Sequence, residues 1–182
     1  MENAIRKQMF EGSQFVQLLY NRPSKSLIAC FQRFIAEHAP VNDMYHRRST
    51  DSEYRKLPKA DDLYTYLDPV CCKQQPYLFL NVKRWNKSMT GTEWVSLSKV
   101  SLPDGTLSVV MNSQDLQLPD GCSRGWIASL LDVDERGVTA ICHVALDSPT
   151  GPGISKVEYS ISEIDLKTGH LSCLARLPDV FM

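Results

Sequence analysis

The groups in this chain that could do chemistry are its four histidines, six cysteines, paired aspartates and a set of strand-borne aromatics. His38, His46, His143 and His170 include no His-x-x-x-His pair, and Cys30, Cys71, Cys72, Cys122, Cys142 and Cys173 include no Cys-x-x-Cys. A zinc site needs closely spaced ligands that can close a tetrahedron, and the adjacent Cys71–Cys72 pair suits that geometry poorly. No metal and no cofactor is therefore expected. Cys142 and Cys173 fall on strand-like segments, where a free cysteine behaves as a small buried hydrophobe. A serine hydrolase needs a Gly-x-Ser-x-Gly elbow, and "EGSQF" (11–15) does not supply one. Cys142 and His143 cannot form a dyad, because neighbouring strand residues point to opposite faces. "SPTGPGIS" (148–155) has glycines but runs between strands, so it is a connection and not a phosphate cradle.

Asp68 and Asp132 are the polar pair of most interest, at the ends of "LYTYLD" (63–68) and "IASLLD" (127–132). They either line the mouth of a ligand channel or hydrogen-bond their own turns. Tyr64, Tyr66, Tyr77, Phe79, Trp85, Trp94 and Trp126 either form a sugar- or peptide-binding surface or pack across strands. The candidate ligand-binding residues are thus Asp68, Asp132 and Trp126, with no catalytic residue among them. "HRRSTDSEYRK" (46–56) is basic but interrupted by Asp51 and Glu53, and reads as a solvated loop with a weak partner-binding patch.

The elements that must carry these groups change character along the chain. Residues 1–40 show apolar steps of three and four (Ile5, Met9, Phe15, Val16, Leu19, then Leu27, Ile28, Phe31, Phe34, Ile35) and are expected as a helical hairpin broken at "NRPS". Residues 41–61 are polar and aperiodic and read as a linker. From 62 to 182 the period is two.

Within that last part, "WVSLSKVSLPDGTLSVV" (94–110) lies without gaps over "EYSISEIDLKTGHLSCL" (158–174), 64 residues on. Ser96/Ser160, Ser98/Ser162, Leu102/Leu166, Gly105/Gly169 and Leu107/Leu171 are identical. The same offset sets "YLFLNV" (77–82) over "ICHVAL" (141–146) and Asp68 over Asp132. The sequence therefore predicts two copies of a four-stranded antiparallel meander, about 62–113 and 126–177. The loops "LPDGTL" and "LKTGHL" join the third and fourth strands of each copy, with glycine where positive φ is needed.

Such a repeating meander resembles a blade of a β-propeller. "SEIDLKTGHLSCL" in particular resembles the blade repeats in the propeller domains of prolyl-oligopeptidase-type peptidases, over roughly residues 62–177. The resemblance implies a mainly β fold and an incomplete propeller, lacking those peptidases' α/β catalytic domain. The alternatives are an eight-stranded barrel or a sandwich.

A net charge of −1 and 23% charged residues give no basic field to gather nucleic acid. No stretch approaches the roughly 18 apolar residues that cross a bilayer. The N-terminal segment lacks a signal-peptide core, so a cytoplasmic chain with reduced thiols is expected. The function these readings favour is a non-catalytic protein-interaction or scaffold role, with a protein partner or self-association completing the propeller. The alternatives are a propeller-type enzyme or enzyme remnant (hydrolase or lyase) acting on carbohydrate or peptide, and a barrel that binds a small ligand.

Overall fold

The computed structural model describes residues 13–151 and 154–178. They form three four-stranded antiparallel sheets, each a meander in simple order. The first, blade A, holds β1 (Gln14–Asn21), β2 (Ser26–Phe34), β3 (Pro40–Arg48) and β4 (Arg55–Lys56). Blade B holds β5 (Tyr64–Cys71), β6 (Tyr77–Trp85), β7 (Thr92–Ser101) and β8 (Thr106–Asn112). Blade C holds β9 (Arg124–Val133), β10 (Thr139–Gly151), β11 (Ile154–Asp165) and β12 (Leu171–Arg176). The architecture is mainly β and propeller-like.

Four expectations are corrected. The helical hairpin is not there: over the described residues its segments are β1 and β2, while Ile5 and Met9 lie outside them. Ile28, Ala29, Cys30 and Phe31 are four consecutive buried residues, because β2 is covered on both faces. A short run of that kind carries no strand alternation and is matched equally well by a helical template. "NRPS" is a hairpin turn, in which Ser24 donates to the Asn21 carboxamide from its N–H (3.0 Å) and its hydroxyl (2.7 Å). Residues 41–61, expected as a linker, contain most of β3 and all of β4.

The repeat is thus threefold. "SLIACFQRF" (26–34) lies over "YLFLNVKRW" (77–85), but only Leu27/Leu78 and Arg33/Arg84 are identical, too few to be seen as a copy. The last correction concerns register. Leu80 faces Ser98, and Cys142 faces Ser162, so the first two strands of blades B and C correspond at an offset of 62, against 64 for the last two. Leu67 and Ser129 are then equivalent, opposite Asn81 and His143, and Asp68 and Asp132 are not.

The blades pack face to face through two cores. Ile28, Cys30 and Met44 of blade A meet Leu78, Leu80, Val82 and Val100 of blade B. On the other side of blade B, Phe79, Leu97 and Met111 meet Ile127, Leu130, Cys142 and Ile164 of blade C. The glycine turns of "LPDGTL" and "LKTGHL" seal both joints. Gly105 and Gly169 each have φ +76, and a Cβ at Gly105 would come within 2.5 Å of His46 Nε2. At Gly169 it would come within 2.0 Å of the Asp115 carbonyl oxygen in the connection from β8 to β9.

Candidate functional site

Asp68 sits in a bulge of β5 with φ 50, a conformation Asp tolerates better than most residues. Its carboxylate accepts the Asn81 side-chain amide at 3.1 Å and the backbone N–H of Leu130, in blade C, at 3.1 Å. Lys83 Nζ donates to the Ala128 carbonyl at 2.7 Å. These bonds strap blade B to blade C. Burial pulls the Lys83 ammonium below its ordinary value against the attraction of Asp68, and burial, aided by the Asp68 charge, pushes the Cys142 thiol up to about 12. Asp68 therefore works inside the protein, as a latch between sheets.

Asp132 stands apart from it. It faces Ile141 across the ladder, on the side of blade C turned away from blade B, and its carboxylate accepts the N–H of Val133 at 2.8 Å. The structure does not bring the two aspartates together. Trp126 lines a cleft of about 530 Å³ with Trp94, Glu93, Gln114, Ser123 and Arg124. The Arg124 guanidinium lies 5.8 Å from the Trp126 ring centroid, and the buried Trp94 Nε1 has no hydrogen-bond partner among the described residues. The cleft can admit a small polar ligand with one apolar face.

The basic stretch 46–56 is distributed over blade A. His46 is buried, and burial followed by the Arg55 charge holds its imidazole below the usual value. Arg48 is paired with Asp51 at 2.9 Å, whereas Arg47 lies 5.1 Å from the Tyr54 ring centroid. Nearby, Asp43 is enclosed by Arg33 (2.9 Å), Lys56 (3.0 Å) and Lys59 (2.5 Å). Burial alone would raise its carboxyl, but the hydrogen bonds and charges of Lys59, Lys56 and Arg33 outweigh it and hold Asp43 below the ordinary carboxylate value. A depressed folded value contributes stability above the unfolded carboxylate pKa and loses it as pH falls through the folded one. Below about pH 4, thermal melts of the parent should therefore fall more steeply than those of Asp43→Asn. Parallel curves would contradict this role.

Among the described residues, no further sheet lies on the outer faces of blades A and C. On blade C, the row Asp132, Ile141, Glu163 and the row Ser129, His143, Ile161 lie on the face away from blade B. Leu131 and Leu174 on the same blade are 48% and 56% exposed. On blade A, Phe15, Leu18 and Tyr20 stand exposed on β1 beside the Ala29–Phe31–Tyr45 cluster. Sequence reasoning missed both faces. Their only linear signal is the match of Leu174 to Val110, which is half-buried against the B–C core in blade B.

No protein-family model matches the chain, and no curated protein matches it. Solved structures similar to it include a puromycin-hydrolyzing peptidase of Mycobacterium tuberculosis, 12% identical over 94% of this chain and 31% of that one, with a TM-score of 0.40. A serine-to-alanine mutant of puromycin hydrolase complexed with PGG is 10% identical over 92% of this chain and 30% of that one, with a TM-score of 0.40. Puromycin hydrolase itself is 10% identical, with coverages of 91% and 29% and a TM-score of 0.39. The chain spans about a third of the length of these structures.

Proposed function

We propose that this chain is a non-catalytic interaction protein, a partial propeller whose last blade offers its outer face to a protein partner. One comparison within the chain carries the reading. Ile28, Cys30 and Met44 of blade A, and their counterparts Phe79, Asn81 and Leu97 of blade B, are buried under the following blade. The counterparts in blade C are Ile141, His143 and Ile161, and these are only half-buried. Positions that two sister blades bury are thus left half-open in the third, where two of the three are isoleucine, with Leu131 and Leu174 exposed on the same blade. A contiguous apolar sheet face is an association surface.

A photo-crosslinking residue at position 174 is expected to give discrete protein adducts in native extract, lost when Ile161→Glu is added. The same residue at Thr90, on the β6–β7 loop, should give none. Equal labelling from both positions would contradict the reading. A second reading, small-ligand binding in the Trp94–Trp126 cleft, draws support from the unpartnered Trp94 Nε1.

A further inference from the structure

We infer that the cleft between blades B and C is a binding site for a neutral carbohydrate, a pyranose sugar stacked on Trp126 with its hydroxyls held by Glu93, Arg124 and Gln114. The inference deepens the second reading above and is independent of what lies on the outer face of blade C.

A comparison of the two joints within the chain carries it. Gln32 of β2 and Lys83 of β6 are equivalent, and their partners on the third strands are Asn42 and Trp94. On the first strands, Thr65 faces Lys83, and Trp126 faces Ala145, the blade C counterpart of Lys83. At the A–B joint these places close directly. The Asn42 N–H donates to the Thr65 hydroxyl at 2.9 Å, and both residues are buried. At the B–C joint the same two places hold Trp94 and Trp126, which line an open cleft of about 530 Å³. That volume falls within the range of about 300–1,000 Å³ usual for small-molecule sites. Trp85 is the contrasting case, a structural indole whose Nε1 donates to the Pro40 carbonyl at 2.8 Å. The buried Nε1 of Trp94 has no partner among the described residues, and Trp126 is only half-buried.

The polar groups of the cleft select the chemistry of the ligand. The Arg124 guanidinium lies 5.8 Å from the Trp126 ring centroid, a contact that uses its charge and leaves its N–H groups to other acceptors. Among the described residues neither Arg124 nor Glu93 is in an ion pair, and both are exposed. Arg124 and an indole N–H can only donate, the Glu93 carboxylate can only accept, and Gln114 and Ser123 do both. A ligand that answers all of them carries groups that both donate and accept, which is the property of a hydroxyl. Charge points the same way. Glu93 repels an anion and Arg124 repels a cation, so a neutral polyol meets the least opposition. A pyranose sets its hydroxyls around the rim and its C–H groups on a face, and that face is the complement of the Trp126 ring.

The test is titration of the full-length, nitrogen-15-labelled chain with maltose, cellobiose and lactose, read on its indole N–H resonances. The chain has three tryptophans, so Trp85→Phe, Trp94→Phe and Trp126→Phe assign every peak. At least one disaccharide is expected to move the Trp94 and Trp126 peaks saturably, with a dissociation constant of about 1 mM, while Trp85 stays in place. Trp126→Ala should weaken that binding at least about tenfold, and Trp126→Tyr, which keeps a stacking face, should hold it within about threefold. Circular dichroism checks folding. If Trp126→Ala does not fold, Glu93→Ala and Arg124→Ala, at exposed positions, replace it, and each should weaken binding at least about threefold. Benzoate and benzylamine are the charged comparators. Movement of the two peaks by either of these and by no sugar would overturn the carbohydrate assignment and keep the cleft as a ligand site. No movement with any probe up to about 20 mM would overturn the second reading as well. Equal movement of all three peaks, or a sugar response unchanged in Trp126→Ala, would also overturn the inference.

Discussion

Phe79→Ala should destabilise the protein by about 3–5 kcal/mol, the usual cost of truncating a buried phenylalanine. Phe79 is 1% exposed and central in the B–C core, against Leu97, Met111, Ile127 and Leu130. Its ring reaches blade C closely enough that a Cβ at Gly137 would lie 3.0 Å from Cζ. The sheets on either side are held at their spacing by hydrogen-bonded ladders, so the space left by the ring cannot collapse. The loss should appear in the denaturation midpoint. Val109→Ala, on the exposed outer strand of the same blade, should change stability by no more than about 0.5 kcal/mol. A loss below about 1 kcal/mol for Phe79→Ala would mean that blades B and C do not share a core.

Asp68→Ala should cost about 3 kcal/mol, while Asp132→Ala stays within about 1 kcal/mol. By residue number the two aspartates look like copies, so the contrast is a sharp test of register. Removing the Asp68 carboxylate strands the Leu130 N–H, leaves the Asn81 amide only the 3.4 Å contact with the Ala128 carbonyl, and deprives Lys83 of its nearby negative charge. It also places alanine at φ 50, where a β-carbon is strained. Asp68→Gly separates the two effects: it relieves the strain and keeps the stranded donors. Asp132 gives up one bond to its neighbour's N–H. Equal losses at the two positions would restore the 64-residue equivalence of the first strands and refute the latch.

The second half of the chain was legible because its turns speak plainly. "LPDGTL" and "LKTGHL" carry glycine at the residue with φ +76, and strand alternation on either side locates β7, β8, β11 and β12. Blade A has no such punctuation. Its first turn uses Lys25 at φ 52 where glycine would have marked the place, and its third turn, at 49–54, has no glycine at all. With β2 buried on both faces, alternation fails as well, and the helical template fits by default. The ungapped offset hid a second fact: β10 and β11 are longer than β6 and β7, which moves the register of the first two strands by two residues.

The site was less legible than the fold. Asp68 was singled out for its position at a strand end, but its role depends on Asn81 and on a backbone N–H 62 residues away. Trp126 was singled out as an aromatic, and its cleft partner Trp94 is recognisable only after the β8–β9 connection brings the two blades together. The outer faces are illegible in one dimension. Ile161 and Leu97 are the same kind of residue at equivalent places, and what differs is whether another sheet lies on top.

Crosslinking from position 174 in native extract tests that last point most directly, because it reads whether another protein lies on the outer face of blade C. Discrete adducts that disappear when Ile161→Glu is added are the expected result. Equal labelling from position 174 and from Thr90 would contradict the use of that face as a partner surface.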